Sequence, residues 1–510
     1  MRAFLTAVAA CGFLGLNAQG WNKRYDAMGQ GFYQGAWNIE TAGQEFMVMS
    51  SSYEPDTIAP DSIVGTHTII MHQLSASGDV LFEVKHKRSF EAMYLGWANC
   101  CAQLSDSTGY VSAGATQAYD GSWGLRLLLY DLDGDTVWTR SLTSPPYYWS
   151  GKQIQQTMDG GFLICGSTNA TGFEDGFTIR TDSQGNELWR ETYGWTSPVY
   201  IDGFTAIAEA ADGELYMSGS RFLSIDESRH WVQRTAPDGG VRWSVSWGGG
   251  YKEGATNLIT LMDGQVLVCG GSGYGPDYTA MRPYLAKLDT ADGSRMWERE
   301  YGSTEYSTLL FAAKECPNAD IIACGVSYEV GEQQGLLLRA SAGGDSLWMR
   351  TYYYQDTAMS EGTGRFFDVM PTQDGGFIAA GVAYNPANAP YPPGYSQDTW
   401  VVKVDSLGCI VPGCDGVGVA ELITNLSGAM SVFPNPAHGS VVVRVDLPMN
   451  MRQDPDLHLS LVNGQGQVVV KEPAQQGDNT LGLSALSAGM YYVHLSSGTT
   501  WLSGAKLIVE

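Results

Sequence analysis

Three times the chain writes an aromatic or Met, one further residue, an acid and a glycine: YIDG at Tyr200, YKEG at Tyr251 and MSEG at Met359. YWSG at Tyr148 and FYQG at Phe32 keep the spacing with a neutral polar residue in the acid's place. Brought to one mouth and joined by Gln34 and Ser150, Asp202, Glu253 and Glu361 make a partial ring of carboxylates able to hold calcium or a cationic group. Tyr148, Trp149, Tyr200 and Tyr251 add faces on which sugars stack. The expected use is a binding surface for a polysaccharide or protein ligand. The same residue types also serve plainer ends, since acids accept hydrogen bonds from nearby N–H groups and aromatics wedge between neighbouring elements.

Other chemical signatures are weaker. GDSL at Gly344 to Leu347 copies an esterase motif, and Asp131, Asp133 and Asp135 in YDLDGDTVW have a calcium-loop spacing. Each lies in a turn before a Trp, and the second lacks the Gly and distal Glu of the twelve-residue loop. The seven His residues include no HExxH, and His67 and His72, an odd number apart on a strand, face opposite ways. There is no GxSxG elbow and no CxxC pair with zinc spacing. No catalytic residue, metal site or cofactor is therefore assigned, calcium at the acid ring excepted.

Those turns belong to a repeat. SGDVLFEVKH, DGDTVWTRSL, QGNELWRETYG, GGVRWSVSWG, DGSRMWEREYG and GDSLWMRTYY place an aromatic at Phe82, Trp138, Trp189, Trp243, Trp297 and Trp348. A period of roughly 50 residues marks a propeller or solenoid. Each unit reads as four strand-like pieces, and the second pieces number seven: FMVMSSS, GYVSAGA, GFLICGS, ELYMSGS, QVLVCGG, DIIACGV and GFIAAGV. Four antiparallel strands per unit is a propeller blade, so the expectation is an all-β, seven-bladed propeller. The seventh unit lacks its Trp strand, and WNKRY at Trp21 to Tyr25 repeats the Trp-x-x-x-Tyr spacing. The N-terminal strand is thus expected to close the ring. The segments 51–66 and 384–397, the latter with Tyr384, Tyr391 and Tyr395, read as long loops and a second candidate surface.

Composition narrows the class. The chain has 510 residues, 44% hydrophobic, 16% charged, 63 glycines and a net charge of −25. Such a balance argues against nucleic acid, which needs a basic stripe, and against an anionic membrane. Residues 1–18 read as a secretory signal peptide, and no later run of 18 apolar residues predicts a spanning helix. Export permits disulfides, and Cys409 and Cys414 are close enough to pair. Cys165, Cys269 and Cys324 recur at one position of the repeat and read as buried hydrophobes.

After residue 430 the repeat stops. SVFPNPAHGSVVVRVDLP, LHLSLVNGQGQVVVKE, LSAGMYYVHL and KLIVE alternate as a small Ig-like β-sandwich. Pro434, Asn435 and Pro436 of FPNPA, Gly466 of NGQGQ, Gly489 and Tyr491 of AGMYY and Lys506 of KLIVE make this segment resemble the C-terminal (type A) sorting domain of type IX secretion cargo. The resemblance implies export across a Gram-negative outer membrane by the type IX machinery, then release or anchoring at the cell surface. The D-x-x-G-x-x-x-W turn is similar to the blades of quinoprotein-like propellers, and adjacent Cys100 and Cys101 to a disulfide of some quinoprotein dehydrogenases. That likeness stops there: their calcium and catalytic acid motifs have no counterpart, and they have eight blades. The expected organisation is a signal peptide at 1–18, propeller at 19–412, linker at 413–430 and sorting domain at 431–510. A secreted or surface binding scaffold follows, with an extracellular polysaccharide or peptide hydrolase or lyase as the alternative.

Overall fold

The computed structural model describes residues 20–510 except 28–32, 60–61, 88–90, 97, 119–122, 143–146, 173, 195–201, 225–226, 249–252, 274–280, 330–332, 355–363, 385–396, 412–429, 448–455, 464–465 and 498–499. The signal peptide, the linker, Tyr200, Tyr251, Glu361, Tyr391, Tyr395 and Cys414 lie outside the described residues.

The described chain is all-β. Blades 3 to 6 are four-stranded antiparallel sheets in sequential order, running from inner strands Trp149–Gln156, Asp202–Glu209, Gly254–Thr260 and Thr308–Glu315 to outer strands Glu187–Tyr193, Val241–Trp247, Arg295–Glu300 and Ser346–Tyr352. Their second strands read as apolar runs because both faces are covered, as in Phe162–Thr168, Val266–Ser272 and Ile321–Ser327, where every residue is buried. Cys165, Cys269 and Cys324 are free, and burial raises the thiols, that of Cys269 to about 12. Outer strands mix exposed and half-buried residues, as a sheet edge facing water allows, and Val241–Trp247 alternates them along most of its length.

Blade 7 consists of Gly364–Pro371, Phe377–Tyr384 and Gln397–Val404, and its fourth strand is Trp21–Tyr25, antiparallel to the third with Trp21 opposite Lys403 and Tyr25 opposite Thr399. The two ends of the propeller chain are therefore hydrogen-bonded to each other, which removes an open edge.

One device joins blade to blade. The turn before each outer strand holds a glycine at positive φ, seated against the outer-strand aromatic of the preceding blade. Four residues beyond that aromatic, Tyr193, Tyr301 and Tyr352 donate to the carbonyls of Gly239, Gly344 and Gly408 at 2.9, 2.6 and 2.7 Å. Tyr25 donates likewise to Gly78 of blade 1 at 2.7 Å, while Trp21 Nε1 donates to Ala76. The Trp-x-x-x-Tyr spacing thus clasps the next turn, and the N-terminal strand makes the same clasp.

Two regions depart from the expected pattern. Residues 51–59 and 62–66 lie in two long paired antiparallel strands, with Tyr53 opposite His67 and Ala59 opposite Ser62. The β-branched residues Thr57, Ile58, Ile63 and Val64 favour strand there, and Pro55 is tolerated because the sheet there is only two strands wide. The inner strand of blade 2 is broken into Glu91–Leu95 and Cys101–Gln103, with Asn99 at φ 60° in the gap.

The C-terminal domain packs a three-stranded sheet (Met430–Phe433, Ser440–Val445, Gly477–Gly482) on a four-stranded one in the order Val468–Pro473, Leu457–Asn463, Gly489–Ser497, Thr500–Val509. Val441, Val443, Leu459, Leu481, Val493 and Leu507 are buried between them. Among the described residues no helix is long and apolar enough to cross a membrane.

Candidate functional site

Inner strands of all seven blades line a central cavity of about 750 Å³, at the end where they turn into the second strands. The inner strands of blade 1 and blades 3 to 7 each carry a bulge at one point, which sets a common register. Just after the bulge stand Asn38, Gln153, Ala206, Asn257, Ala312 and Asp368. Here polar side chains bridge blades: Gln153 Oε1 accepts from the Ile207 amide at 3.0 Å and Asn257 Oδ1 from Ala313 at 3.3 Å. Asp368 Oδ2 does the same for Ile39 at 3.1 Å, and also accepts from Asn38 Nδ2 at 2.8 Å. The bulge frees a backbone donor, and the neighbouring blade satisfies it.

Two residues further on, the blades diverge. The equivalent positions are Glu40, Gln155, Ala208, Ile259, Lys314 and Met370, and all six line the cavity. Glu40 is a half-buried cavity residue closely surrounded by protein, and this desolvation raises its carboxyl to about 7; Lys314 and Asn38 oppose the shift and Asp368 adds to it. Asp368 is fully buried and also raised, chiefly by desolvation. Lys314 Nζ donates to Asn99 Oδ1, whereas Asn99 Nδ2 is buried without a hydrogen-bond partner among the described residues. Glu40, Lys314 and Asn99 thus form an asymmetric polar cluster in the cavity wall, with Asp368 buried behind it. Sequence reasoning missed it. Its only signal was the contrast of Glu40 and Lys314 with Ala208, Ile259 and Met370 at the matching positions.

Of the residues expected at one mouth, Gln34, Ser150, Asp202 and Glu253 stand near the start of the inner strands, at the other end from this cavity. The central cavity is lined by neither Asp202 nor Glu253. Asp202 is buried, with Oδ1 accepting from the Phe222 amide at 3.3 Å and Oδ2 lying 3.7 Å from Arg221 Nε. Glu253, also buried, faces a pocket between blades 4 and 5. Trp149 is a wedge inside the core: its ring meets Phe177 edge-on at 5.0 Å and Arg190 covers it. Tyr148 is half-buried, edge-on to Trp123 at 5.2 Å. Gln34 is buried and donates to Asp26 at 2.9 Å. Local packing and backbone bonding hold these residues.

The signatures in the turns are accounted for by the fold. Asp131 Oδ1 accepts from the amides of Asp133 and Asp135 at 3.1 and 2.8 Å, so this aspartate organises its turn. No group of three potential ligands fit for a metal occurs among the described residues. In GDSL, Gly344 and Asp345 close the turn and Ser346 opens the outer strand. Cys100 and Cys101 are free and buried, and burial raises both thiols. Cys409 is disulfide-bonded.

In the C-terminal domain the FPNPA motif holds the chain end. Asn435 Nδ2 donates to the Lys506 carbonyl at 2.7 Å while its Oδ1 accepts from the Ile508 amide at 2.9 Å. Ala437 pairs with the same strand through bonds to Ile508 and Glu510. Pro434 and Pro436 flank this clamp, Gly466 takes φ 78° in its turn, and Tyr491, next but one to Gly489, donates to Ser487 at 2.9 Å.

Comparison with known proteins agrees with this architecture. Residues 431–510 match the family model of the secretion system C-terminal sorting domain, and residues 128–380 match that of outer membrane protein assembly factor BamB, a PQQ-type repeat. The chain is similar to PorZ, a surface component of the type IX secretion system of Porphyromonas gingivalis, at 10% identity over 92% of this chain and 69% of that one, with a TM-score of 0.30. It is also similar to the β-propeller domain of the Trilobed protease from Pyrococcus furiosus, at 8% identity over 72% and 93% of the two chains with a TM-score of 0.39. A third likeness, to polysaccharide lyase Uly1, has 8% identity, covers 75% and 91%, and has a TM-score of 0.40. No curated protein matches the sequence.

The molecule is an all-β propeller protein with a separate C-terminal β domain. It carries the type IX sorting domain at 431–510 behind a PQQ-like propeller, and that tail implies export to the cell surface or the extracellular space.

Proposed function

We propose that this exported propeller is a binding protein whose ligand, an end or side group of an extracellular polysaccharide or peptide, enters the central cavity. Asn99 carries the proposal. It interrupts an inner strand, holds a backbone conformation uncommon for a residue with a Cβ, and keeps a buried amide N–H₂ unpartnered among the described residues beside Lys314 and Glu40. Strain and an unmet donor in a cavity of ligand size are costs that ligand contact offsets.

The test is the thermal midpoint of the full chain against a panel of oligosaccharides and peptides. A ligand at 100 times its dissociation constant adds about 2.7 kcal/mol, read as a clear upward shift. Asn99→Gly, which accepts the positive φ, and Lys314→Met should each abolish the shift. A ligand that still shifts both variants would place its site elsewhere.

One observation favours a second reading, in which the cavity is catalytic. A carboxyl with a pKa of about 7 beside a second buried carboxyl suits a general acid in hydrolysis or elimination of a polysaccharide or peptide. Under this reading Glu40→Gln eliminates turnover but leaves ligand binding within a few-fold. Turnover unchanged in Glu40→Gln would end it.

A further inference from the structure

Between the outer strand of blade 4 and blade 5 lies a second cavity, of about 620 Å³. His230 forms part of its wall. The imidazole is 1% exposed and stacks between Trp247, at 5.4 Å, and Tyr284, at 4.5 Å. Neither ring nitrogen has a hydrogen-bond partner among the described residues. Glu253 Oε2 lies 3.9 Å from His230 Nε2, beyond direct hydrogen-bond reach. Burial, with Arg295 nearby, lowers the imidazole pKa to about 3, so the ring is neutral, with one donor and one acceptor nitrogen.

Two ion pairs line the cavity, and a third arginine of the wall, Arg299, has Nε 3.9 Å from Asp345 Oδ1. Arg282 Nη1 meets Glu300 Oε2 at 2.9 Å, and Ser272 donates to the other oxygen of Glu300 at 2.8 Å. Arg295 Nε meets Glu298 Oε2 at 3.3 Å, and the same oxygen accepts from Tyr284, which in turn accepts from Trp247. An ionic ligand would have to compete with these pairs. A neutral one need not.

A single oxygen placed about 2.8 Å from both His230 Nε2 and Glu253 Oε2 spans their gap. To satisfy both it must accept from the imidazole N–H and donate to the carboxylate. A hydroxyl does both through one atom, whereas a peptide amide donates and accepts through separate atoms. We infer that the cavity between blades 4 and 5 is a binding site for a neutral sugar residue of an extracellular glycan, with one hydroxyl bridging His230 and Glu253. This site is separate from the central cavity and stands or falls independently of the reading given for it.

The experiment is an array of neutral oligosaccharides probed with the full chain, followed by titration calorimetry on each glycan that binds. At least one is expected to bind. His230→Phe, which keeps an aromatic ring between Trp247 and Tyr284, should weaken that glycan tenfold or more without lowering the thermal midpoint, since two unpartnered nitrogens are removed. Glu253→Gln keeps an acceptor but alters the bridge, and should weaken binding several-fold, guarding against a folding defect in the first variant. Lys471→Ala, exposed on the C-terminal domain, should leave the affinity unchanged. Absence of any neutral glycan hit, or affinity indifferent to both His230→Phe and Glu253→Gln, would overturn the inference. Binding lost in Lys314→Met instead would also overturn it, by assigning the glycan to the central cavity.

Discussion

The rim of the propeller and its central cavity are built by opposite rules. On the rim the same clasp recurs: an outer-strand aromatic lies under the next blade's turn, and in four places a tyrosine hydroxyl reaches that turn's glycine carbonyl. In the cavity, matching positions hold Glu40, Gln155, Ala208, Ile259, Lys314 and Met370. Repetition serves a need every blade has, to grip its neighbour. Divergence at one register, with Asn99 at positive φ beside it, answers no common need of the fold, and the proposed ligand site rests on that contrast.

The comparison breaks most completely at the closing clasp. Removing residues 20–25 deletes the outer strand of blade 7, leaves the strand Gln397–Val404 as an open edge and empties the seat of Trp21 and Tyr25 on blade 1. The expected outcome is loss of a cooperative thermal transition and of a monodisperse species in size-exclusion chromatography. A variant melting within a few degrees of the full chain would show that closure by the N-terminal strand is dispensable.

A smaller perturbation isolates the clasp from the turn. Gly344 has φ 83° and a Cβ there would stand 2.8 Å from the Trp297 ring; Gly375 has φ 81° and open space around that position. Both Ala variants incur the cost of a left-handed backbone, about 1 kcal/mol. Gly344→Ala must also displace a packed indole, for a total of about 3 kcal/mol. Chemical denaturation of the two variants measures the difference. Equal losses would mean that Trp297 yields freely and the clasp contributes little.

The same contrast explains what the sequence made legible. Seven second strands, the Trp turn and the Trp-x-x-x-Tyr spacing were visible because they are repeated, and repetition is readable without coordinates. FPNPA owes its legibility to backbone demands that few residue types meet, as the clamp of Asn435 on the last strand illustrates. Repetition points to a different place: Asp202 and Glu253 recur in the links between blades, at the start of the inner strands, whereas the cavity cluster lies at their other end. Glu40 in NIETA and Lys314 in FAAKE look like ordinary strand charges until the bulge sets the register. Asn99 belongs to the blade whose inner strand is broken, where no repeat pattern applies.

The cavity supplies the mildest test, a pH dependence. Glu40 is raised from 4.5 to about 7, with desolvation the largest cause. The folded state then binds its proton more tightly than the unfolded chain, so stability attributable to Glu40 falls as pH rises from about 4.5 through 7 and is flat above. Partial exposure of Glu40 tempers the effect, to on the order of 2 kcal/mol. Asp398, raised to about 6 mainly by burial near Arg24, tilts stability in the same direction, as does the net charge of −25. Both remain in Glu40→Gln and nearly cancel when it is compared with wild type. Urea denaturation from pH 4.5 to 7.5 should therefore show wild type losing ground to Glu40→Gln as pH increases. A gap of the opposite slope would show that Lys314 outweighs desolvation and holds Glu40 ionised, turning the cluster from a proton-bearing site into an ion pair.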